Sequence, residues 1–255
     1  MRFYVINGGF MRVLCSSYRM LGMWIALCLG AWGQTVHAQN ADMAERIKPC
    51  VACHGDMGRA GPDGYYPRLA GKPAGYLFNQ MQNFSHGRRR YLMMRRMMEP
   101  LSADYQREMA QYFSQLQVPY AAPSAAKSLS AEQTLRGRQL ATQGDAALGL
   151  PACESCHGQG LTGQGMNVPG LVGLPAAYLS AQLSAWRTGD RQTQAPDCMA
   201  EIAKRLQPED VHAVVGWMSQ QPVIKVATSK SIINQRALPE DLRCGSAPEL
   251  HGRAP

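Results

Sequence analysis

The stretch CVACHG beginning at Cys50 recurs as CESCHG beginning at Cys153, and the likeness continues well past it. PRLAGKPAGYLFNQMQNFSHGRR from Pro67 is answered by PGLVGLPAAYLSAQLSAWRTGDR from Pro169. PLSADYQREMAQYFSQ from Pro100 is answered more loosely by RLQPEDVHAVVGWMSQ from Arg205. The order is kept, at offsets of 103, 102 and 105 residues. A repeat of that length is a duplicated domain and not a solenoid period, so the fold must be one that can be built twice in tandem. The expected division is a first domain at 39–125, a second at 126–225 and a C-terminal tail at 226–255. VPYAAPSAAKS at 118–128 is the linker, and the tail lacks apolar periodicity and is expected to be extended.

Each copy reads as helices joined by irregular segments. Apolar residues at helical spacing predict helices over 74–84, 131–143, 176–187 and 208–220. A further helix is expected after Ser102, a good N-cap, with Met109, Tyr112, Phe113 and Leu116 on one side, and a short one over 42–48. Pro208 suits a first helical position. No strand pattern is visible, so the fold class is all-α.

The first 38 residues differ from the rest. They hold Arg2, Arg12 and Arg19 and no acid, then the apolar run MLGMWIALCLGAW, then TVHA with small residues at an A-x-A-like site. This predicts a secretory signal peptide over 1–38 and export to the periplasm; the alternative, an uncleaved anchor, has a short apolar run against it. Without that segment 23 Lys and Arg face 18 Asp and Glu. That charge is too mild to indicate a nucleic-acid partner, and none is expected. Six cysteines remain: Cys50, Cys53, Cys153, Cys156, Cys198 and Cys244.

Cys50-Val51-Ala52-Cys53-His54 and Cys153-Glu154-Ser155-Cys156-His157 match the c-type haem attachment signal. Two thiols three positions apart can reach the two vinyl groups on one edge of a porphyrin, and the following histidine then meets the iron. A four-cysteine zinc site would leave both histidines unused and would not require two complete repeats. A thioredoxin-like pair needs a βαβ context that is missing. Two covalently attached haem c groups are therefore expected. They also account for the small size of each copy, because a porphyrin supplies an apolar plate for a modest core.

An iron used for electron transfer takes a second axial ligand, and Met opposite His raises its potential. YLMMRRMMEPL at 91–101 offers Met93, Met94, Met97 and Met98. The second copy narrows the choice. Met166 follows the haem motif too closely to cross to the other face, whereas Met199 lies seven residues before Leu206. Leu101 is the equivalent of Leu206, and seven residues before it is Met94. The expected ligand pairs are His54 with Met94 and His157 with Met199. Met93, Met97 and Met98 are expected to pack around the haem edge. His86 and His212 lack counterparts in the other copy and are expected to be ordinary helix or surface histidines.

This order of motifs, repeated once, resembles the diheme cytochromes c of the cytochrome c4 family over about residues 42–221. The resemblance implies two class I cytochrome c domains and transfer of electrons from the quinol-oxidising side of a respiratory chain to a terminal oxidase or other acceptor. It implies redox-protein partners, and peripheral membrane association as in some members. The segment between Gly87 and Met94 is short, so a more exposed haem edge is expected in the first copy. Two alternatives remain open. One is a diheme oxidoreductase of the thiosulfate dehydrogenase or peroxidase kind, with Cys198 free to approach iron. The other is a cytochrome subunit of a membrane dehydrogenase.

Four of the six cysteines are assigned to haem, which leaves Cys198 and Cys244 as an even pair in an oxidising compartment, and a disulfide between them is expected. Charge also divides unevenly. Residues 39–125 hold 11 Lys and Arg against 7 Asp and Glu, whereas 126–225 hold 8 of each. The N-terminal domain, with Arg88, Arg89, Arg90, Arg95 and Arg96, is thus the better candidate to meet an acidic partner.

Overall fold

The computed structural model describes residues 42–61, 64–120, 129–223 and 240–251. The expected signal segment, the domain junction at 125/126 and the tail from 226 to 239 lie outside the described residues. Residues 42–46 are helical. The described residues from Pro49 onward form one compact unit.

In the first half the helices are α1 (Lys48–His54), α2 (Ala74–Ser85), α3 (Leu92–Met98) and α4 (Ala103–Gln115). The second half has α5 (Ala131–Thr142), α6 (Cys153–His157), α7 (Ala176–Thr188), α8 (Cys198–Arg205) and α9 (Pro208–Ser219). The all-α expectation holds apart from one antiparallel pair of two-residue strands, Gly163–Gln164 and Val168–Pro169. No helix among the described residues is long and apolar enough to cross a membrane.

Local sequence sets where these elements begin and end. Ser102 accepts a hydrogen bond from the Tyr105 amide at 3.2 Å and starts α4. Ser130 and Gln133 form a reciprocal capping box at α5, at 3.1 and 2.9 Å. Helix α7 ends on Gly189 in the left-handed region. The glycine after each CxxCH is equally constrained. Gly55 and Gly158 have φ of 75° and 77°, and a Cβ on either would run into the backbone of the returning loop, at Ala60 or Gly163. The chain can therefore leave each histidine and fold back beneath it.

The second half closes around a core of Leu140, Leu161, Leu179, Leu206, Val214 and Met218. Helices α5 and α9 cross at Gly137, where a Cβ would strike the Ala213 carbonyl. Beside this crossing Arg136 bridges Asp210 at 2.7 Å and Asp145 at 2.8 Å, fastening both helices to the loop before the second CxxCH. Gly137→Ala is expected to push the helices apart and cost roughly 1–3 kcal/mol, the usual overpacking penalty. Chemical denaturation of the holoprotein reads this as a lower midpoint with an unchanged slope.

The two halves meet through main chain as well as side chains. Arg89 and Arg191 form an antiparallel bridge. The Arg90 amide donates to the Asp190 carbonyl, and the Gln192 amide to the Arg88 carbonyl, each at 2.7 Å. On the other side the Tyr76 amide donates to the Met166 carbonyl at 3.1 Å. The described part of the tail is not extended. It forms 3-10 turns at Glu240–Leu242 and Pro248–His251.

Candidate haem-binding cavity

One continuous cavity of about 860 Å³ runs through both halves and is lined by both CxxCH motifs and by Met94 and Met199. On one side stand the two histidines. His54 Nδ1 lies 2.9 Å from the Pro67 carbonyl, and His157 Nδ1 lies 2.8 Å from the Pro169 carbonyl. A carbonyl only accepts, so each Nδ1 carries the proton and each Nε2 keeps its lone pair. Burial lowers the pKa of both rings and favours the neutral form that can bind a metal. Orientation of a ligating imidazole by a carbonyl on its other nitrogen is a common device of metal sites. Pro67 and Pro169 are matching positions of the repeat, so the two copies use the same device.

Neither motif closes its cysteine pair as a disulfide. Burial pushes Cys153 up to about 12 and raises Cys50 and Cys156. A dithiol redox pair works through a lowered thiol pKa, so these environments speak against that use. Among the described residues no group of three or more His, Cys, Asp or Glu side chains is placed to hold a metal ion, so the two CxxC pairs are not gathered as a zinc site requires.

Helix α3 carries Met94 and α8 carries Met199, each half-buried and lining the same cavity as the histidines. The remaining methionines, expected to pack around the haem edge, also line the cavity: Met98 is packed inside, at 3% exposure, while Met93 and Met97 are 60% and 39% exposed. The reason is helical geometry. Met94 and Met98 are four residues apart and share the inward face, which turns Met93 and Met97 outward. His86 and His212 are exposed.

Gln106 holds α3 in place and is not among the residues singled out from the sequence. It is 1% exposed. Its amide N–H groups serve Ser85 Oγ and the Met98 and Leu101 carbonyls, all at 3.1 Å, while its oxygen accepts from Gln82 at 2.9 Å. The equivalent residue of the second copy is Val211, so the signal available was a polar residue at an apolar position of the repeat. Gln106→Leu is expected to cost roughly 1–3 kcal/mol, because two buried carbonyls lose their partner, and thermal unfolding of the holoprotein would measure it.

The seam between the halves gathers cations. Arg89 and Arg191 each donate to both Gln80 and Gln182, over 2.6–3.1 Å. Arg89 lies over the Phe84 ring and Arg191 over the Trp186 ring. All three pairs, Gln80/Gln182, Phe84/Trp186 and Arg89/Arg191, are matching positions of the repeat. Arg191 Nε and Trp186 Nε1 are buried without a hydrogen-bond partner. Nearby, Lys72 is buried with the Gly170 carbonyl as its hydrogen-bond acceptor at 2.8 Å, and burial, aided by Arg68, pushes its pKa down to about 7. Buried donors and cations on an otherwise apolar wall fit a flat apolar group that carries carboxylates at one edge, as a haem does.

The tail closes the second half. Cys198 and Cys244 form a disulfide, as expected, with Cα atoms 4.9 Å apart. Val168, Cys244, Ala247 and Leu250 form a small buried cluster against Cys198. Asn79 of the first half donates to the Ser246 carbonyl at 3.0 Å.

No protein-family profile matches the chain. It is 38% identical over 195 residues to the thiosulfate dehydrogenase electron acceptor of Thiomonas intermedia strain K12, covering 76% of this chain and 88% of that protein. It is 31% identical over 208 residues to cytochrome c4 of Stutzerimonas stutzeri, covering 76% and 95%. The crystal structure of reduced recombinant cytochrome c4 from Pseudomonas stutzeri superposes with a TM-score of 0.60 at 28% identity, over 72% of this chain and 96% of that one. A duplicated helical fold around this cavity defines a c-type cytochrome with two covalently attached haem c groups. The chain belongs to the cytochrome c4 family of diheme electron-transfer cytochromes.

Proposed function

We propose that the chain is a periplasmic carrier that takes electrons from a thiosulfate dehydrogenase and delivers them to a terminal oxidase or another respiratory acceptor. The observation that carries this is that in both halves a carbonyl-anchored histidine of a CxxCH motif and a half-buried methionine line one cavity. On this reading His54 and Met94 hold one iron and His157 and Met199 the other. Cys50, Cys53, Cys153 and Cys156 make the thioether links. Haem iron supplies reversible one-electron chemistry. The protein's residues would do the rest: Pro67 and Pro169 orient the imidazoles, Met94 and Met199 would serve as the second ligands, and Arg89, Arg191 and Lys72 would meet the carboxylates of the haems.

With a histidine and a methionine holding each iron, no open iron position would remain for a substrate. The enzyme alternative drew on a free Cys198 thiol, and that sulfur is committed to Cys244. The choice of donor draws support from the relatives named thiosulfate dehydrogenase electron acceptor, at 38% and 33% identity. The family resemblance, supported by relatives named cytochrome c4, implies the quinol-oxidising side of a respiratory chain as a second source of electrons.

Catalytic amounts of a thiosulfate dehydrogenase with thiosulfate should reduce the oxidised holoprotein fully, while thiosulfate alone should not. Reduction by thiosulfate alone would make the protein an enzyme. Reduction by a quinol-oxidising complex only would move its donor.

A further inference from the structure

The repeat relates two surfaces that differ in one respect. At the offset of 105 residues Met93 stands where Cys198 stands, and at 102 Tyr66 stands where Val168 stands. In the second half this face is covered: the disulfide pins residues 240–251 over it, and Leu242, Ala247 and Leu250 line the cavity there. In the first half no described residue covers it. Leu92, Met93 and Tyr65 are each about 60% exposed, at 59%, 60% and 61%. Leu92 does not line the cavity, so its exposure belongs to the outer surface. Arg90, Arg95 and Arg96 stand exposed beside this patch. Arg95 pairs with Glu99 at 2.9 Å, within α3 and its cap.

An apolar patch with a cationic rim at a cavity mouth suits a weak, electrostatically steered encounter. We infer that electrons are exchanged with protein partners through the Leu92–Met93–Met97 face of the N-terminal half, that the partner is a redox protein with an acidic rim, and that the disulfide-pinned tail withholds the equivalent face of the C-terminal half. The inference rests on the reading of the chain as a carrier. The exchange moves one electron from the partner's cofactor to the protein and forms no bond, so the face has only to bring the two cofactor edges close and release them. A partner docking on the C-terminal half would first have to displace a disulfide-linked segment.

Stopped-flow reduction of the oxidised holoprotein tests this with two donors: thiosulfate dehydrogenase loaded with thiosulfate, and dithionite, a small anion. The variants are Leu92→Glu with Arg96→Glu, and Arg243→Glu on the tail. Retention of the ferric sulfur-to-iron band shows that both haem sites are intact. The Leu92/Arg96 variant should react roughly tenfold more slowly with the dehydrogenase at low ionic strength, and the difference should shrink as the Debye length falls to about 3 Å at 1 M salt. Arg243→Glu should match the parent protein. Equal rates for the parent and the Leu92/Arg96 variant, or slowing by Arg243→Glu instead, would overturn the proposal. If the dehydrogenase fails to reduce even the parent protein, the named donor is removed and the same variants are compared with a quinol-oxidising complex as donor, where slowing by the Leu92/Arg96 pair alone keeps the face and equal rates overturn it. Unchanged rates together with loss of a dimer on sedimentation would assign the face to a second copy of the chain and overturn it.

Discussion

Met94→Ala is expected to abolish one of the two methionine–histidine signals of the oxidised protein and to lower the potential of that haem, while Met97→Ala leaves both signals in place. Four methionines crowd into six positions of α3, but they are not equivalent. Met93 and Met97 point outward at 60% and 39% exposure, and Met98 is buried in the first half's packing. Met94 alone is half-buried, lines the cavity and stands in register with Met199. Methionine opposite histidine raises the potential, and axial ligands span about 0.8 V across haem proteins. Loss of the sulfur should therefore lower the potential by an amount on the order of a tenth of a volt or more. Met98→Ala should instead act on stability, because its side chain fills core. Loss of the signal in Met97→Ala and not in Met94→Ala would show that register between the copies does not identify the ligand.

The double variant Cys198→Ser, Cys244→Ser is expected to lose roughly 3–4 kcal/mol of stability. The bridge closes a loop with a sequence separation of 46, and removing such a closure frees the unfolded chain by about that much. Its effect is local as well. Residues 240–251 are otherwise held by the small Val168–Cys244–Ala247–Leu250 cluster and by a few hydrogen bonds, among them Asn79 to the Ser246 carbonyl and the Gly245 amide to the Pro196 carbonyl at 2.8 Å. Denaturant unfolding under non-reducing conditions should give a lower midpoint for the variant, and added reductant should bring the parent protein to the same value. Identical midpoints without reductant would mean that the bridge does not hold the tail in solution.

Much of this site could be read from the chain before any coordinates. The CxxCH motifs are local, so their roles follow from spacing. The choice of Met94 over its neighbours rests on register with Met199 and is what the Met94→Ala measurement decides, whereas Cys198 met Cys244 by parity. What escaped is physically different. Helices α3 and α8 span seven and eight residues, too short for an apolar period to stand out. The outward turn of Met93 and Met97 follows once α3 is known to be helical. Gln106 works through two carbonyls, a serine hydroxyl and a glutamine, all outside its own helix, and nothing in its own segment announces that. The Arg89–Arg191 cluster exists only where the halves meet. Its trace was nonetheless present in the repeat, in Tyr76, Gln80 and Arg89 recurring as Tyr178, Gln182 and Arg191. The two-residue strand pair is too short to alternate and arises from a turn that brings Gly163 opposite Pro169.

The most direct test of the whole assignment is an optical redox titration of the purified holoprotein, following the sulfur-to-iron band and the haem spectrum together, with thiosulfate as the sole added substrate in a parallel sample. The expected result is two one-electron transitions, the band present for both haems when oxidised, and no consumption of thiosulfate. A high-spin haem, or one without the sulfur band, in a protein that oxidises thiosulfate unaided would contradict the carrier and place an open catalytic iron in its stead.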